Sequence, residues 1–320
     1  MNYTAIIKEV GRGVKGATDL DEATAYALYC DMLDGKVPDL ELGAISVAFR
    51  IKGESEAEML GFHRALAERI NHIERPAGKP LPVLLPAYNG ARKLANLLPL
   101  LALLLQRHGV PVLVHGVTRD PKRVTAAETL AALGVPLCGV AAEAQAQLAQ
   151  SGLAFITAHG LSPAMDAQLE LRWRLGVRGS THTLAKLVDP FGGESVRVVS
   201  VTHPPYMIKM ASFMQATGTR GLLMRGAEGE PYANPKRCPR IEYFHDGQGE
   251  VLVPQDEGDV EIPQLAEDFN VEATVRWTQQ ALAGKLPVPG PLLKQLACCL
   301  YASGAVGEMG AALALVREST

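Results

Sequence analysis

The chain has 320 residues, of which 48% are hydrophobic and 20% are charged, and its formal net charge is −3. This balance is typical of a folded globular protein and excludes a disordered or strongly basic polypeptide. Aromatic residues make up only 5% of the chain, which disfavours a surface built from many base-stacking rings.

The five cysteines form no C-x-x-C pair, so we expect reduced thiols and a cytoplasmic protein. The N-terminus lacks the pattern of a signal peptide. No apolar run approaches the ~20 residues that a membrane span requires. We therefore expect no membrane association.

Residues 1–75 predict a small helical domain. Apolar residues at spacings of three and four predict helices over 20–33, 40–51 and 56–72. Thr18 with Asp21, and Ser55 with Glu58, fit capping boxes. The second helix carries more apolar residues than so small a bundle needs, which predicts a dimer contact. Those residues are Ala44, Ile45, Val47, Ala48 and Phe49.

One glycine motif does not indicate a dinucleotide site. Residues 11–16 fit G-x-G-x-x-G, but the segment before them, 3–10, predicts a helix where that motif requires a strand. The motif is therefore interpreted as a loop.

Residues 76–320 predict an α/β domain in which short apolar strands alternate with helices. The predicted strands are 83–85, 110–115, 153–157, 196–201 and 221–224. The predicted helices include 94–107, 141–151, 163–174, 206–217, 271–283, 292–302 and 309–317. Polar turns at 86–93 and 116–122 follow the first two strands, at the sheet edge where α/β folds bind ligands.

Charge is unevenly distributed along this domain. From Arg75 to Arg123 there are eight basic residues and one acid, and from Arg172 to Arg220 seven and two. The sign then reverses, with twelve acids and three bases over 228–272, in hairpin-like segments around Gly247 and Gly258. A basic run can be a solvated face, but its position in ligand-facing turns favours a phosphate-binding surface.

The predicted phosphate-contacting residues are basic side chains in or near these turns. They are Arg92, Lys93, Arg119, Lys122, Arg123, Arg178, Lys186 and Lys209. Tyr88, beside them in a turn, is predicted to be an exposed stacking ring. Trp173 and Trp277 are predicted to be core residues, and no histidine is assigned a catalytic role.

Several segments carry a family resemblance. They are V-H-G-V-T-R at 114–119, A-E-T-L-A-A-L-G at 127–134, R-L-G-V-R at 174–178, the segment 184–190, and Asn96. Together they resemble the anthranilate phosphoribosyltransferase family. The resemblance implies the class III nucleoside phosphorylase/phosphoribosyltransferase-like fold. That fold has a small helical domain, to which residues from about 163 to 190 contribute, and a larger α/β domain.

The resemblance also implies a pocket and a dimer formed through the helical domain. The residual pocket would be lined by Tyr88, Asn89, Gly90, Asn96, His115 and Gly116.

Two departures from the family bear on function. Where the enzymes have a G-T-G-G-D loop for a pyrophosphate group, this chain has Y-N-G-A-R-K at 88–93. Where they have an adjacent Asp-Glu pair for magnesium, it has Pro231 and Tyr232. Glu228 and Glu230 lie close by in sequence and are interpreted as solvated residues of a surface turn, with a shifted magnesium site as the alternative.

These features resemble the non-enzymatic branch of the family, which implies a homodimer that binds DNA and RNA with little regard for sequence. That interpretation predicts no catalytic residue, no metal and no cofactor. One alternative is a magnesium-dependent phosphoribosyltransferase acting on phosphoribosyl pyrophosphate and a nitrogenous acceptor. A second alternative is a sensor of small anions.

Overall fold

The computed structural model describes residues 1–258, 265 and 269–318. Its helices are α1 (Tyr3–Val10), α2 (Glu22–Leu33), α3 (Asp39–Lys52), α4 (Glu56–Ala67), α5 (Leu98–Arg107), α6 (Ala126–Ala132), α7 (Ala141–Ser151), α8 (Ala158–Leu161), α9 (Pro163–Leu175), α10 (Thr181–Leu184), α11 (Pro204–Ala216), α12 (Val271–Leu282), α13 (Gly290–Ala302) and α14 (Met309–Glu318). Its strands are β1 (Val83–Ala87), β2 (Val112–Gly116), β3 (Leu137–Cys138), β4 (Leu153–Thr157), β5 (Val196–Val201), β6 (Gly221–Ala227), β7 (Glu230–Ala233), β8 (Ile241–His245) and β9 (Gln248–Val253).

The helical unit comprises Met1–Asn71 and Leu161–Asp189. Its core contains Tyr29 stacked on Phe62 with ring centres 4.7 Å apart, and Phe49 meets Phe62 edge-on at 5.1 Å. The Tyr29 hydroxyl lies 2.7 Å from Thr181 Oγ1, which ties the second segment to the first. The predicted helices are confirmed as α2, α3 and α4, although α4 ends at Ala67.

One of the two predicted capping boxes is confirmed. The Glu58 amide donates to Ser55 Oγ at 3.3 Å, and the Ser55 amide donates to Glu58 Oε2 at 2.7 Å. The box at Thr18 is wrong, because Asp21 caps α2 by accepting a hydrogen bond from the Thr24 amide. The Thr18 hydroxyl instead donates to Glu9.

The α/β unit comprises His72–Gly160 and Pro190–Thr320. Its sheet runs in the order β3-β4-β2-β1-β5-β6-β8-β9, and β7 pairs with β6. Neighbouring strands from β3 to β6 are parallel, whereas β7, β8 and β9 are joined antiparallel. The central parallel strands β1, β2 and β5 are fully buried, as expected when helices cover both faces of a sheet.

The hairpin predicted around Gly247 is confirmed as β8 and β9, with positive φ at Asp246 and Gly247. The hairpin-like segment predicted around Gly258 includes residues beyond 258, and residues 259–264 lie outside the described part of the chain. Within the part of the chain that the structure describes, no helix combines the length and apolar character needed to cross a membrane.

Two sequence-based predictions are wrong, one in the α/β unit and one in the helical unit. Helix α5 begins at Leu98 rather than at residue 94, because Pro99 occupies its first turn and Leu97 caps it. Trp277 is buried as predicted, but Trp173 is 48% exposed. The Arg172 guanidinium lies 4.2 Å from the Trp173 ring centre. The ring therefore packs against a cation and not against the apolar core.

Candidate nucleic-acid interface

Two basic loops leave the sheet side by side. Strands β1 and β2 pair in parallel with Ala87 opposite Gly116, so the segments that follow both strands emerge at the same edge. The loops are then joined directly, since the Ala91 amide donates to the Val124 carbonyl at 2.9 Å and the Val124 amide donates back at 2.8 Å. The exposed side chains of 88–97 and 117–125 therefore lie at the same edge of the sheet.

Most of the predicted cations in these loops are exposed. The Arg92 side chain is 52% exposed, and Lys93, Arg119 and Lys122 are exposed as well. These four residues are called the loop cations below. They carry positive charge on the edge of a sheet where ligands usually bind.

Arg123 has a structural role as well. Its side chain is 18% exposed and lies 3.7 Å from Glu228 Oε2. Its Nη1 donates to the Gly90 carbonyl at 3.0 Å. Arg123 therefore holds the first loop in place, and little of its charge faces solvent.

The remaining predicted cations have other locations. Lys209 is exposed on α11, which follows β5, the strand next to β1. Its Nζ lies 5.7 Å from the centre of the Tyr206 ring. Arg178 and Lys186 belong to the helical unit.

Arg225 is a further candidate for the cationic edge, although the sequence pattern does not predict it. It is exposed near the carboxyl end of β6, opposite Val201 of β5. A signal is present in the sequence, because a single arginine directly follows the predicted apolar strand 221–224. The charge pattern does not select it, since it stands outside the two basic runs.

The prediction that Tyr88 is an exposed stacking ring is wrong. Tyr88 is 1% exposed, its hydroxyl lies 2.9 Å from His115 Nδ1, and the two rings meet edge-on at 5.5 Å. Burial lowers the pKa of His115 to about 3, so the imidazole is neutral near pH 7. The pair fills the space behind the loop rather than facing solvent.

Other residues of the predicted pocket also serve the backbone. Asn96 is buried, its Nδ2 donates to the Val124 carbonyl and its Oδ1 accepts from the Leu98 amide, each at 3.1 Å. A side-chain carbon at Gly116 would overlap the Ala87 carbonyl oxygen. These positions fix where the loops start.

Two glutamates bind the amides of the first loop. Glu230 is fully buried, and its Oε1 accepts hydrogen bonds from the Asn89 amide at 2.7 Å and the Gly90 amide at 2.9 Å. Glu228 Oε1 accepts from the Arg92 amide at 3.1 Å and the Lys93 amide at 2.8 Å. The interpretation of these residues as solvated side chains of a surface turn is wrong.

These carboxylates do not fit a magnesium site. Their Oε1 atoms face amide donors, and Glu228 Oε2 faces the guanidinium groups of Arg92 and Arg123 at 3.9 and 3.7 Å. Among the described residues, no three His, Cys, Asp or Glu side chains come together as metal ligands would. The two carboxylates are instead stabilised by backbone amides and, for Glu228, by arginine side chains.

A helical unit and an α/β unit, the latter with ligand loops at the carboxyl edge of a largely parallel sheet, define the phosphoribosyltransferase-like class. The chain belongs to the glycosyl transferase family. The helical bundle domain of that family matches residues 4–70 and its a/b domain matches residues 90–258.

Individual relatives agree with this assignment. The chain is 47% identical to the uncharacterized protein YbiB of Escherichia coli K12 over the full length of both. It is 28% identical to the anthranilate phosphoribosyltransferase of Thermus thermophilus over 307 residues, 93% of this chain and 90% of that one. The crystal structure of a Thermus thermophilus anthranilate phosphoribosyltransferase superimposes with a TM-score of 0.78 at 25% identity, covering 100% of this chain and 94% of that one.

Proposed function

We propose that the protein binds DNA and RNA through their phosphates, with little dependence on sequence. The observation that carries the proposal is the grouping of the four loop cations on two loops joined by a reciprocal pair of hydrogen bonds. Exposed cations held at fixed spacing can meet successive phosphates of a polymer. Such contacts fix a strand without reading its bases.

Arg225 and Lys209 extend this cationic edge to the ends of β6 and the helix after β5. Each phosphate that a cation neutralises releases condensed counterions, so binding weakens steeply as salt rises. With about four to six contacts, we expect affinity to fall by orders of magnitude between low and moderate salt. Arg178 and Lys186, on the helical unit, are further proposed contacts.

The test uses two double variants of equal charge. Arg119→Ala with Lys122→Ala removes two loop cations, and Arg276→Ala with Lys285→Ala removes one arginine and one lysine that are exposed elsewhere in the α/β unit. In a mobility-shift titration, the first variant should weaken binding of unrelated oligonucleotides equally. It should also reduce the slope of log K against log salt by roughly 2.

The control variant should keep the slope of the unmodified protein. If both variants bind alike, or if binding barely changes with salt, the loop cations do not contact phosphates.

A second candidate function follows from the relatives. The similarity to anthranilate phosphoribosyltransferases over 93% of the chain favours a magnesium-dependent transfer from phosphoribosyl pyrophosphate to a nitrogenous acceptor, for which Glu228 and Glu230 would first have to leave the amides that they bind. Turnover of phosphoribosyl pyrophosphate that depends on magnesium would establish this function. No turnover with any acceptor, alongside salt-dependent oligonucleotide binding, would leave the first proposal standing.

We also propose a homodimer formed through the helical unit. Four apolar residues are exposed at helical spacing on α3, namely Leu40, Ala44, Val47 and Ile51, and Ile51 is 56% exposed. An apolar stripe of this kind suits a second copy of the chain. Ile45 and Phe49, also predicted to face a partner, are instead buried in the core of the helical unit.

A cytoplasmic location is part of the same proposal. All five cysteines lie within the described residues, and none forms a disulfide. Reduced cysteines are the norm in a reducing compartment.

A further inference from the structure

We propose that Glu228 and Glu230 are specificity-determining residues that exclude small phosphate ligands. Their carboxylates occupy the backbone amides that such a ligand would need. This inference concerns small anions and holds whether or not the chain binds nucleic acid.

The amides form an anion-binding cradle. Four N–H groups of one short loop, at residues 89, 90, 92 and 93, each donate to a carboxylate oxygen at 2.7 to 3.1 Å. Gly90 bends the loop with φ of +70°, a conformation that glycine adopts without strain. Successive amides turned toward one side in this way make a concave site for anions such as phosphate.

The chain supplies the anions itself. Glu230 fills the first half of the cradle and Glu228 the second, with two amides for each carboxylate. A small ligand with two linked anionic groups, such as inorganic pyrophosphate, is the kind of ligand that would need both pairs of amides. The ligand class that these glutamates exclude is therefore a small polyphosphate or a phosphorylated metabolite.

The turn that carries the glutamates is held firmly. Glu228 has φ of +53° and Gly229 has φ of +89°. A positive φ at a residue other than glycine is strained, so the surrounding contacts must maintain it. Ser200 Oγ donates to the Gly229 carbonyl at 2.9 Å. A side-chain carbon at Gly229 would overlap the side-chain amide nitrogen of Asn89, so only glycine fits there.

A free anion would have to displace these carboxylates to reach the amides. The displaced carboxylate of Glu230, which is fully buried, would lose both of its amide donors, and a buried charge without such donors is costly. The loop cations project their side chains from the same loops, so a polymer can meet these side chains without using the amides of the cradle. A small ligand that needs the amides, in contrast, cannot bind.

The test measures binding of inorganic pyrophosphate by isothermal calorimetry. The unmodified protein should show no heat of binding when inorganic pyrophosphate is titrated to about 1 mM, a concentration that would detect dissociation constants on the order of 1 mM or below. Glu228→Ala with Glu230→Ala should bind at least about tenfold more tightly than the unmodified protein. Glu250→Ala with Glu272→Ala removes two carboxylates elsewhere in the α/β unit and should behave like the unmodified protein, which controls for net charge.

Glu228→Ala alone keeps the buried Glu230 and is the variant to measure if the double variant does not fold. It should bind inorganic phosphate at the Arg92 and Lys93 amides. A folded Glu228→Ala or double variant that binds phosphate and pyrophosphate no better than the charge control overturns the inference. Oligonucleotide binding by the unmodified protein is measured separately, so failure of the proposed function is recognised independently.

Discussion

At the scale of single residues, burial decides what a polar side chain can do. His115 and Tyr88 are both in ligand-facing segments, yet each is almost completely buried and they are bonded to one another. Burial lowers the pKa of His115 to about 3. Burial and the nearby Arg178, Arg172 and Lys186 lower the pKa of His182 to about 3. Both imidazoles are neutral structural groups near pH 7.

The His115 pKa predicts a pH dependence of stability. A histidine whose pKa is lower in the folded protein stabilises it fully above pH ~6.5, and this contribution is lost as pH falls toward the folded pKa. His115→Asn keeps an acceptor near the Nδ1 position but cannot titrate. Between pH ~7 and ~5.5, the unmodified protein should lose about 1.2 kcal/mol more unfolding free energy than this variant, measured by urea denaturation.

His72→Asn replaces an exposed histidine of the same unit and serves as the control. It should keep the pH dependence of the unmodified protein. Equal losses for all three proteins would mean that His115 does not remain neutral in the fold.

At the scale of elements, one buried carboxylate organises the start of α4. Glu58 is fully buried. It accepts hydrogen bonds from the Leu20 amide at 2.8 Å, and from the Ser55 amide and Lys52 Nζ at 2.7 Å each. The capping box is therefore also the link between α4, the end of α3 and the segment before α2.

These contacts predict how much three substitutions lower the free energy of unfolding. Ser55→Ala removes one cap hydrogen bond and should cost ~1 kcal/mol of unfolding free energy. Glu58→Gln leaves the nearly buried Lys52 paired with Asp19 alone and should cost ~2 kcal/mol. Thr18→Ala, at the box that did not form, should stay within about 0.5 kcal/mol.

Thermal or urea unfolding of the three variants tests the ranking. A Thr18→Ala cost equal to that of Ser55→Ala would show that Thr18 caps α2 after all.

At the scale of the whole molecule, a small net negative charge coexists with a cationic edge. The chain has 31 basic and 34 acidic residues, but the loops after β1 and β2 carry most of their charge as arginine and lysine. Acidic residues are concentrated from residue 228 to residue 272. A polyanion bound as proposed would be confined to the cationic edge of the sheet, since the acidic segment would repel it.

The exposed stripe on α3 predicts the oligomeric state. Val47→Asp with Ile51→Asp places two charges on that stripe, and burying unpaired charges in an interface is unfavourable. We expect the variant to have the mass of a single chain by light scattering, whereas the unmodified protein has the mass of two chains. Val251→Asp, on an exposed position of β9, should leave the mass unchanged.

A variant with charges on α3 that still has the mass of two chains would exclude this stripe as the dimer contact. A monomeric unmodified protein would exclude the dimer altogether.

The sequence alone determined the elements whose signals are local. Periodic apolar residues located α2, α3 and most strands, and Ser55 with Glu58 identified a real cap. The basic turns were found because charge and strand ends are both visible in the order of residues. The family resemblance implied the two-part fold, which the comparisons confirm.

Only the tertiary structure decided the environment of each polar residue. Tyr88 is buried by His115, 27 positions along the chain, and the Asn89 and Gly90 amides are bound by Glu230, 141 and 140 positions away. No local pattern records such contacts, because they arise when parallel strands bring distant turns to one edge of the sheet. The sequence thus located the loops, and the fold determined which of their groups face solvent and which are already bound.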